Sequence, residues 1–169
     1  MKRIKLLFLF ILCACFLSIQ INAQSEKVSK GGIDPRVAKA LNQTKTEYEV
    51  GKDGMYKVTY ETTGKRTQSA LIDSETVTIH NLEMRLVFSF AKIGGNLPTQ
   101  AVANLLLKEN LENFPNIWAI QKDEKGKFSI VNLIYIPADS DGKTLDMALS
   151  SVMIAADKME ESLTKKDEY

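Results

Sequence analysis

Leu82, Met84, Leu86, Phe88 and Phe90 alternate along the chain with Glu83, Arg85 and Ser89, and the run then breaks at Gly94-Gly95-Asn96 and Pro98. A period of two is what a strand with one buried face requires, since successive side chains point to opposite sides. The spacing predicts that the Leu-Met-Phe set faces the core and that Glu83, Arg85 and Ser89 face solvent. Beyond the break, Ala101, Val102, Leu105 and Leu106 recur at helical spacing. Pro98 suits the first helical turn, where its missing N–H is no loss, and Asn110 suits a left-handed C-cap. A helix is therefore predicted from Pro98 to about Leu107 or Asn110. This unit of strand, turn and helix, from Glu83 to Trp118, is the piece that the flanking segments must cover.

Asp34-Pro35 reads as an N-cap followed by proline at the first helical position, and Val37, Ala38 and Leu41 share one side. That predicts a short peripheral helix from Pro35 to about Thr44. Tyr48 to Val50 begins a strand, Gly51-Lys52-Asp53-Gly54 turns it, and Tyr56, Val58 and Tyr60 resume the alternation. Thr62 to Lys65 is another turn, Thr67 to Ile72 a hairpin partner, and Val77 and Ile79 a further extended run. Apolar residues move from odd to even positions across His80-Asn81-Leu82, which demands a bulge or turn there.

Ile117 to Gln121 and Lys127 to Ile136 form strands around the Asp123-Glu124-Lys125-Gly126 turn. From Thr144 to about Thr164, Leu145, Leu149, Val152, Met153, Ala156, Met159 and Leu163 keep helical spacing, opposite Asp146, Asp157, Lys158, Glu160 and Glu161. Lys165 to Tyr169 is a charged tail with no folding signal. Strands arriving in hairpins, with helices between the groups, give an α+β fold: an antiparallel sheet of about five strands with helices packed on it, in the order α-β-β-β-α-β-β-α.

A chain of 169 residues suits one domain. Lys2, Arg3 and Lys5 flank the start of an apolar run from Ile4 to Ile21 that ends near Ala23, the composition of a secretory signal peptide cleaved after Ala23. An uncleaved anchor is one alternative for so long a run. Lipidation is the other, because Leu12-Cys13-Ala14-Cys15 loosely resembles a lipobox with Cys15 as its acceptor. The expected organisation is a signal peptide over 1–23, a flexible tether over 24–33, one domain over 34–164 and the tail over 165–169. The expected compartment is the periplasm, and a membrane enters only if Cys15 is lipidated. Cleavage removes Cys13 and Cys15, and with them disulfides, thiolate nucleophiles and cysteine metal ligands. It also removes Lys2, Arg3 and Lys5, taking the formal charge from +1 to about −2. Acids and bases are interspersed without a basic stripe, so nucleic acid is not an expected partner.

His80 is the sole histidine. A catalytic role would need a nucleophile and an orienting acid beside it, and Ser74, Ser89 and Asp73 sit in no nucleophile motif. It reads as a surface or turn residue. Asp139-x-Asp141-Gly142 lacks the other ligands of a calcium loop and reads as a solvated cap for the last helix. Gly94-Gly95-Asn96 lacks both phosphate-loop spacings. Asp123-Glu124 and Glu160-Glu161 fall in a turn and on a wet helix face, which does not make the converging acids of a glycosidase. No catalytic residue, cofactor or metal is expected. Phe114, Trp118, Phe128 and Tyr135 surround the second hairpin; Phe114 and Trp118 are the candidate partner-binding residues, because exposed aromatics anchor interfaces.

Leu86-Val87-Phe88-Ser89-Phe90-Ala91, the glycine-proline turn, Leu105-Leu106-Leu107-Lys108-Glu109-Asn110, Trp118 and Ala155-Ala156-Asp157-Lys158-Met159-Glu160 together resemble the YbjN-like proteins, which are similar in fold to the chaperones of type III secretion systems. The resemblance implies a compact sheet with a helix on either side of the strand series, a homodimer, and binding of other proteins without catalysis. An export signal and near-neutral charge depart from cytosolic, acidic chaperones, so the chaperone role is not carried over. The expected function is an exported, non-enzymatic domain that binds a protein or peptide. A periplasmic carrier of small apolar ligands, with its cavity between the sheet and the last helix, is the alternative; a hydrolase built on His80 is the more distant one.

Overall fold

The computed structural model describes residues 32–169. The signal peptide, its cysteines and most of the tether lie outside the described residues. Asp34 opens α1 (Pro35–Thr44), its carboxylate accepting the Arg36 backbone N–H at 2.9 Å, with Pro35 in the first turn as the sequence predicts. Then come β1 (Glu49–Val50), β2 (Tyr56–Glu61), β3 (Thr67–Ile79), β4 (Leu82–Gly95), α2 (Gln100–Glu112), β5 (Ile117–Lys122), β6 (Phe128–Pro137) and α3 (Gly142–Thr164). The fold is α+β, with one open antiparallel sheet of six strands in the order β1-β2-β3-β4-β6-β5, one strand more than expected.

The parity shift resolves as a two-residue hairpin turn. Ile79 pairs with Leu82, and His80 and Asn81 both take left-handed backbone, at φ 47° and 69°, the conformation that matches the right-handed twist of the flanking strands. Thr67 to Ile72 and Val77 to Ile79 are not separate runs, however. They are one strand whose pairing to β4 slips between Ile72 and Thr76, and Ser74 holds the irregular stretch by donating to Gly54 O. Pro98 lies ahead of α2 rather than in its first turn; Thr99 is the cap, accepting from Val102 N at 3.4 Å. Nor does α2 end at Asn110, because Asn113 takes the C-cap without left-handed backbone.

Pairing assigns the faces. Arg85, Val87 and Ser89 of β4 stand opposite Thr76, Ile72 and Ala70 of β3 and opposite Ile136, Ile134 and Asn132 of β6. All of these are buried, and the apolar ones form the larger core with α1 and α3. This reverses the expected assignment. The helices cover the side that carries Arg85 and Ser89, while Met84, Leu86, Phe88 and Phe90 lie half-buried on the opposite, helix-free face and Leu82 is exposed. The reason is local compensation. The Arg85 guanidinium bonds to the Asp34 carboxylate and to the carbonyls of Asp73 and Ser74, so its charge is paired where it is buried.

The covered side holds two apolar clusters. The larger one joins Val37, Ala40 and Leu41 of α1 to Val58, Ile72, Val87 and Leu149, so α1 belongs to the core rather than the periphery. The smaller joins Ala91, Leu106, Trp118, Ile130, Ala156 and Met159. Buried Gln68, Ser89 and Asn132 run between them, with Gln68 Nε2 donating to Ser89 Oγ at 3.0 Å and to Phe90 O at 2.8 Å. Close approach of α1 and α3 depends on Gly142, where a Cβ would sit 2.5 Å from Ala40 O.

Two charged features also differ from expectation. Asp157 and Glu160 are not on a wet face: both are buried and take the Arg66 guanidinium, at 2.6 and 3.2 Å. The tail is tied down as well. Arg66 donates to Lys166 O at 2.8 Å, Thr67 N to the Asp167 carboxylate, Glu168 N to Glu160 Oε1 at 2.6 Å, and Ile93 N to the Tyr169 hydroxyl at 3.0 Å.

Candidate functional site

α2 lies beside α3 at the β5 side of the sheet and buries a single residue, Leu106, against Trp118 and Met159. An amphipathic helix would put its other leucines on that same side. Instead Leu107 is 68% and Leu111 85% exposed, and they lead at helical spacing to Phe114, 85% exposed, just past the helix end. The helix therefore carries a second apolar stripe in water.

An open cleft of about 670 Å³ separates α2 from α3. Leu105 and Phe114 line one side, Ile154, Ala155 and Met159 the other, and Trp118 of β5 lies between them. Glu109 and Glu112 belong to the α2 side; Ser151 and Lys158 belong to the α3 side. Glu112 faces Lys108 at 3.6 Å, whereas Lys158 makes no ion pair among the described residues. The volume falls in the range of ligand-binding clefts, and the mix of apolar walls with a few charges suits one apolar segment held in a fixed direction.

Asn110 of α2 ties the helix to the Trp118 backbone behind the cleft. Its side-chain amide donates to Trp118 O at 3.1 Å and accepts the Trp118 N–H, imitating the next strand at the open edge of β5. Asn110→Ala should lower stability by about 1–2 kcal/mol, because both Trp118 backbone groups lose their partner; urea unfolding measures this. A substitution that left stability unchanged would mean that water replaces the amide fully.

Both candidate aromatics line this cleft, Phe114 at its exposed rim and Trp118 in its wall, only 7% exposed. Leu105, Ile154 and Met159 join them. Met159 sits on the predicted core stripe, and Ile154 lies off it, so only the misplacement of Ile154 in the helical pattern marks the site in the sequence. A second cleft of about 820 Å³ flanks α3 on the side of Tyr60, Arg66 and Asp157. Its Arg66 and Asp157 charges are already paired within the chain.

The other sequence features stay apart from the cleft. His80 is exposed in the hairpin turn, while Ser74 and Ser89 are buried and donate to Gly54 O and Ser69 O. Asp141 caps α3, accepting from Thr144 N at 2.8 Å, and that bond holds its carboxyl below the usual range. The carboxylates of Asp157, Glu160 and Asp167 converge, and Arg66 supplies the positive charge beside them. Burial pushes the Glu160 carboxyl up, opposed by the bond from Glu168 N and by Arg66. No helix among the described residues is long and apolar enough to cross a membrane. No protein-family model, curated protein or solved structure matches the chain.

Proposed function

We propose that this is an exported, non-enzymatic binding domain that takes an apolar peptide segment of another protein into the α2–α3 cleft. The observation that carries the reading is the second apolar stripe of α2. A ligand confined to the cleft would leave Leu107 and Leu111 in water, whereas a protein segment can fill the cleft past Phe114 and continue around the helix. Glu109 and Glu112 on one side and Lys158 on the other set its polarity, so the segment presents a basic residue towards α2. The sequence resemblance to YbjN-like proteins supports the same class of function, and the apolar run of residues 4–21 supports export.

A library of peptides displayed on phage and selected on the protein tests this whatever the natural partner is. The expected yield is a consensus of bulky apolar residues with a lysine or arginine beside them. Phe114→Ala should weaken the selected peptide at least about tenfold, as loss of an exposed anchor does. The same substitution should leave stability within about 0.5 kcal/mol, because the ring packs on little. Enrichment that ignores Phe114, or no enrichment, would contradict the site.

The small-ligand carrier remains a second reading, with a change of place. Leu149, Val152, Met153 and Ala156 fill the space between the sheet and α3, so any ligand would enter the lateral cleft instead. Met159 and Trp118 in its wall favour this reading.

A further inference from the structure

The two clefts share a wall. Ile154 and Lys158, one turn apart on α3, line both the α2–α3 cleft and the second cleft, whose far side is the end of β2 and the β2–β3 connection. Ile154 is 51% exposed, so the ridge between the clefts is itself apolar in water. Tyr60 and Met153 supply the apolar surface of the second cleft. Arg66 and Asp157 hold each other there, whereas Glu61 and Glu161 are exposed and make no ion pair among the described residues.

We infer that a single partner segment crosses α3 and fills both clefts, with its side chains in the order basic, bulky apolar, acidic, bulky apolar, basic. The inference rests on the α2–α3 cleft being a peptide site and names the chemistry of what that site takes. Charge is the first argument. From α2 over α3 to the β2–β3 connection the surface presents Glu109 and Glu112, then Lys158 on the ridge, then Glu61 and Glu161. Lys108 faces Glu112 only as an exposed pair that water screens, so the α2 margin stays acidic. Negative, positive, negative is a pattern of both clefts together, and each alone holds half of it. A segment with the complementary order meets every one of these charges, and its acidic side chain gives Lys158 the partner it lacks within the chain.

Reach is the second argument. A helix with its side chains is about 10 Å across, and the two apolar walls flank α3 at about that separation. An extended segment spans it in about three residues and a helical one in about seven. Either also covers Ile154, which a ligand confined to one cleft leaves half in water.

Selection of phage-displayed peptides of about sixteen residues, enough for either conformation, on the purified full chain tests the inference, followed by calorimetric titration of the selected peptide and of its two halves. The expected consensus has two bulky apolar positions about three or seven apart, an acidic residue between them and a lysine or arginine at each outer side. Glu61→Lys combined with Glu161→Lys should weaken the whole peptide at least about tenfold, because like charges then face each other. The half that carries the first basic and apolar residues should bind the native chain and this variant alike. Replacing the peptide's second basic residue with glutamate should restore binding to the variant, a rescue that a structural disturbance does not give. Circular dichroism reports whether the variant is folded. Peptides that depend on Phe114 but tolerate both lysines would overturn the crossing and leave the α2–α3 site standing. Peptides that depend on Glu61 and Glu161 but not on Phe114 would overturn both, and a consensus without the central acidic residue would overturn the role of Lys158.

Discussion

An Arg85→Ala chain is expected to lose about 3–5 kcal/mol of folding stability at neutral pH, the cost of removing one partner from a buried pair. The Arg85 side chain is 3% exposed and reaches the Asp34 carboxylate, which Arg36 also holds; Arg36 in turn grips Glu83 at 2.7 Å. Burial pushes the Asp34 carboxyl up, but the bonds from Arg36 and Arg85 outweigh it and leave the group well below the usual carboxylate range. The Arg36 guanidinium and the Thr76 hydroxyl hold Glu83 down at about 2. Groups lowered in the folded state stabilise above their unfolded values, near pH 4, and that stability is lost as pH falls through the folded values. Without Arg85 the Asp34 value moves back up, so the acid limb becomes shallower. Urea midpoints at pH 7, 5 and 3 should show the variant's deficit shrinking with acid. A deficit that is constant with pH would assign the loss to packing rather than charge.

Arg66→Met is the second large effect, a loss of about 3 kcal/mol at neutral pH. The substitution strands Glu160, which is fully buried, beside Asp157 and Asp167. Here the sign is opposite. A carboxyl raised in the folded state stabilises below its unfolded value and loses that contribution as pH rises through the folded one, so the Arg66→Met deficit should narrow on acidification from pH 7 to about 5. Adding Glu160→Gln should restore part of the loss at pH 7. The tail should loosen in the single variant, because Lys166 and Glu168 are held through this cluster. Digestion by carboxypeptidase should then remove residues 165–169 faster. An intact tail in a destabilised variant would show that Thr67 and Ile93 suffice to hold it.

Those two arginines also mark where sequence stops being legible. Element order, the Asp34-Pro35 helix start, the turn at His80-Asn81 and the apolar stripe of α3 all follow from local spacing. Alternation in β4 shows that its two faces differ, but not which one the helices cover. That choice depends on Asp34, far back in the chain, meeting Arg85, and on Ile72, Ala70, Ile134 and Ile136 making the polar side of β4 the inner one. Likewise Asp157 and Glu160 look like solvent residues until Arg66 arrives from the β2–β3 connection. The aromatic pair of the cleft is readable as a pair, since Phe114 and Trp118 are close in sequence. Their separate roles are not, because Asn110 pins Trp118 to the edge of the sheet while Phe114 is left at the rim.

Trp118 is the sole tryptophan of the chain, and it lines the cleft, so its emission reports on that site alone. The decisive measurement is a titration of Trp118 fluorescence with the phage-selected peptide and, in parallel, with palmitate, in the native chain and in Phe114→Ala. A saturable shift with the peptide whose midpoint Phe114→Ala raises at least about tenfold, and none with palmitate, is the expected result. Saturation with palmitate alone would make the cleft a carrier site, and no shift with either ligand would contradict binding there.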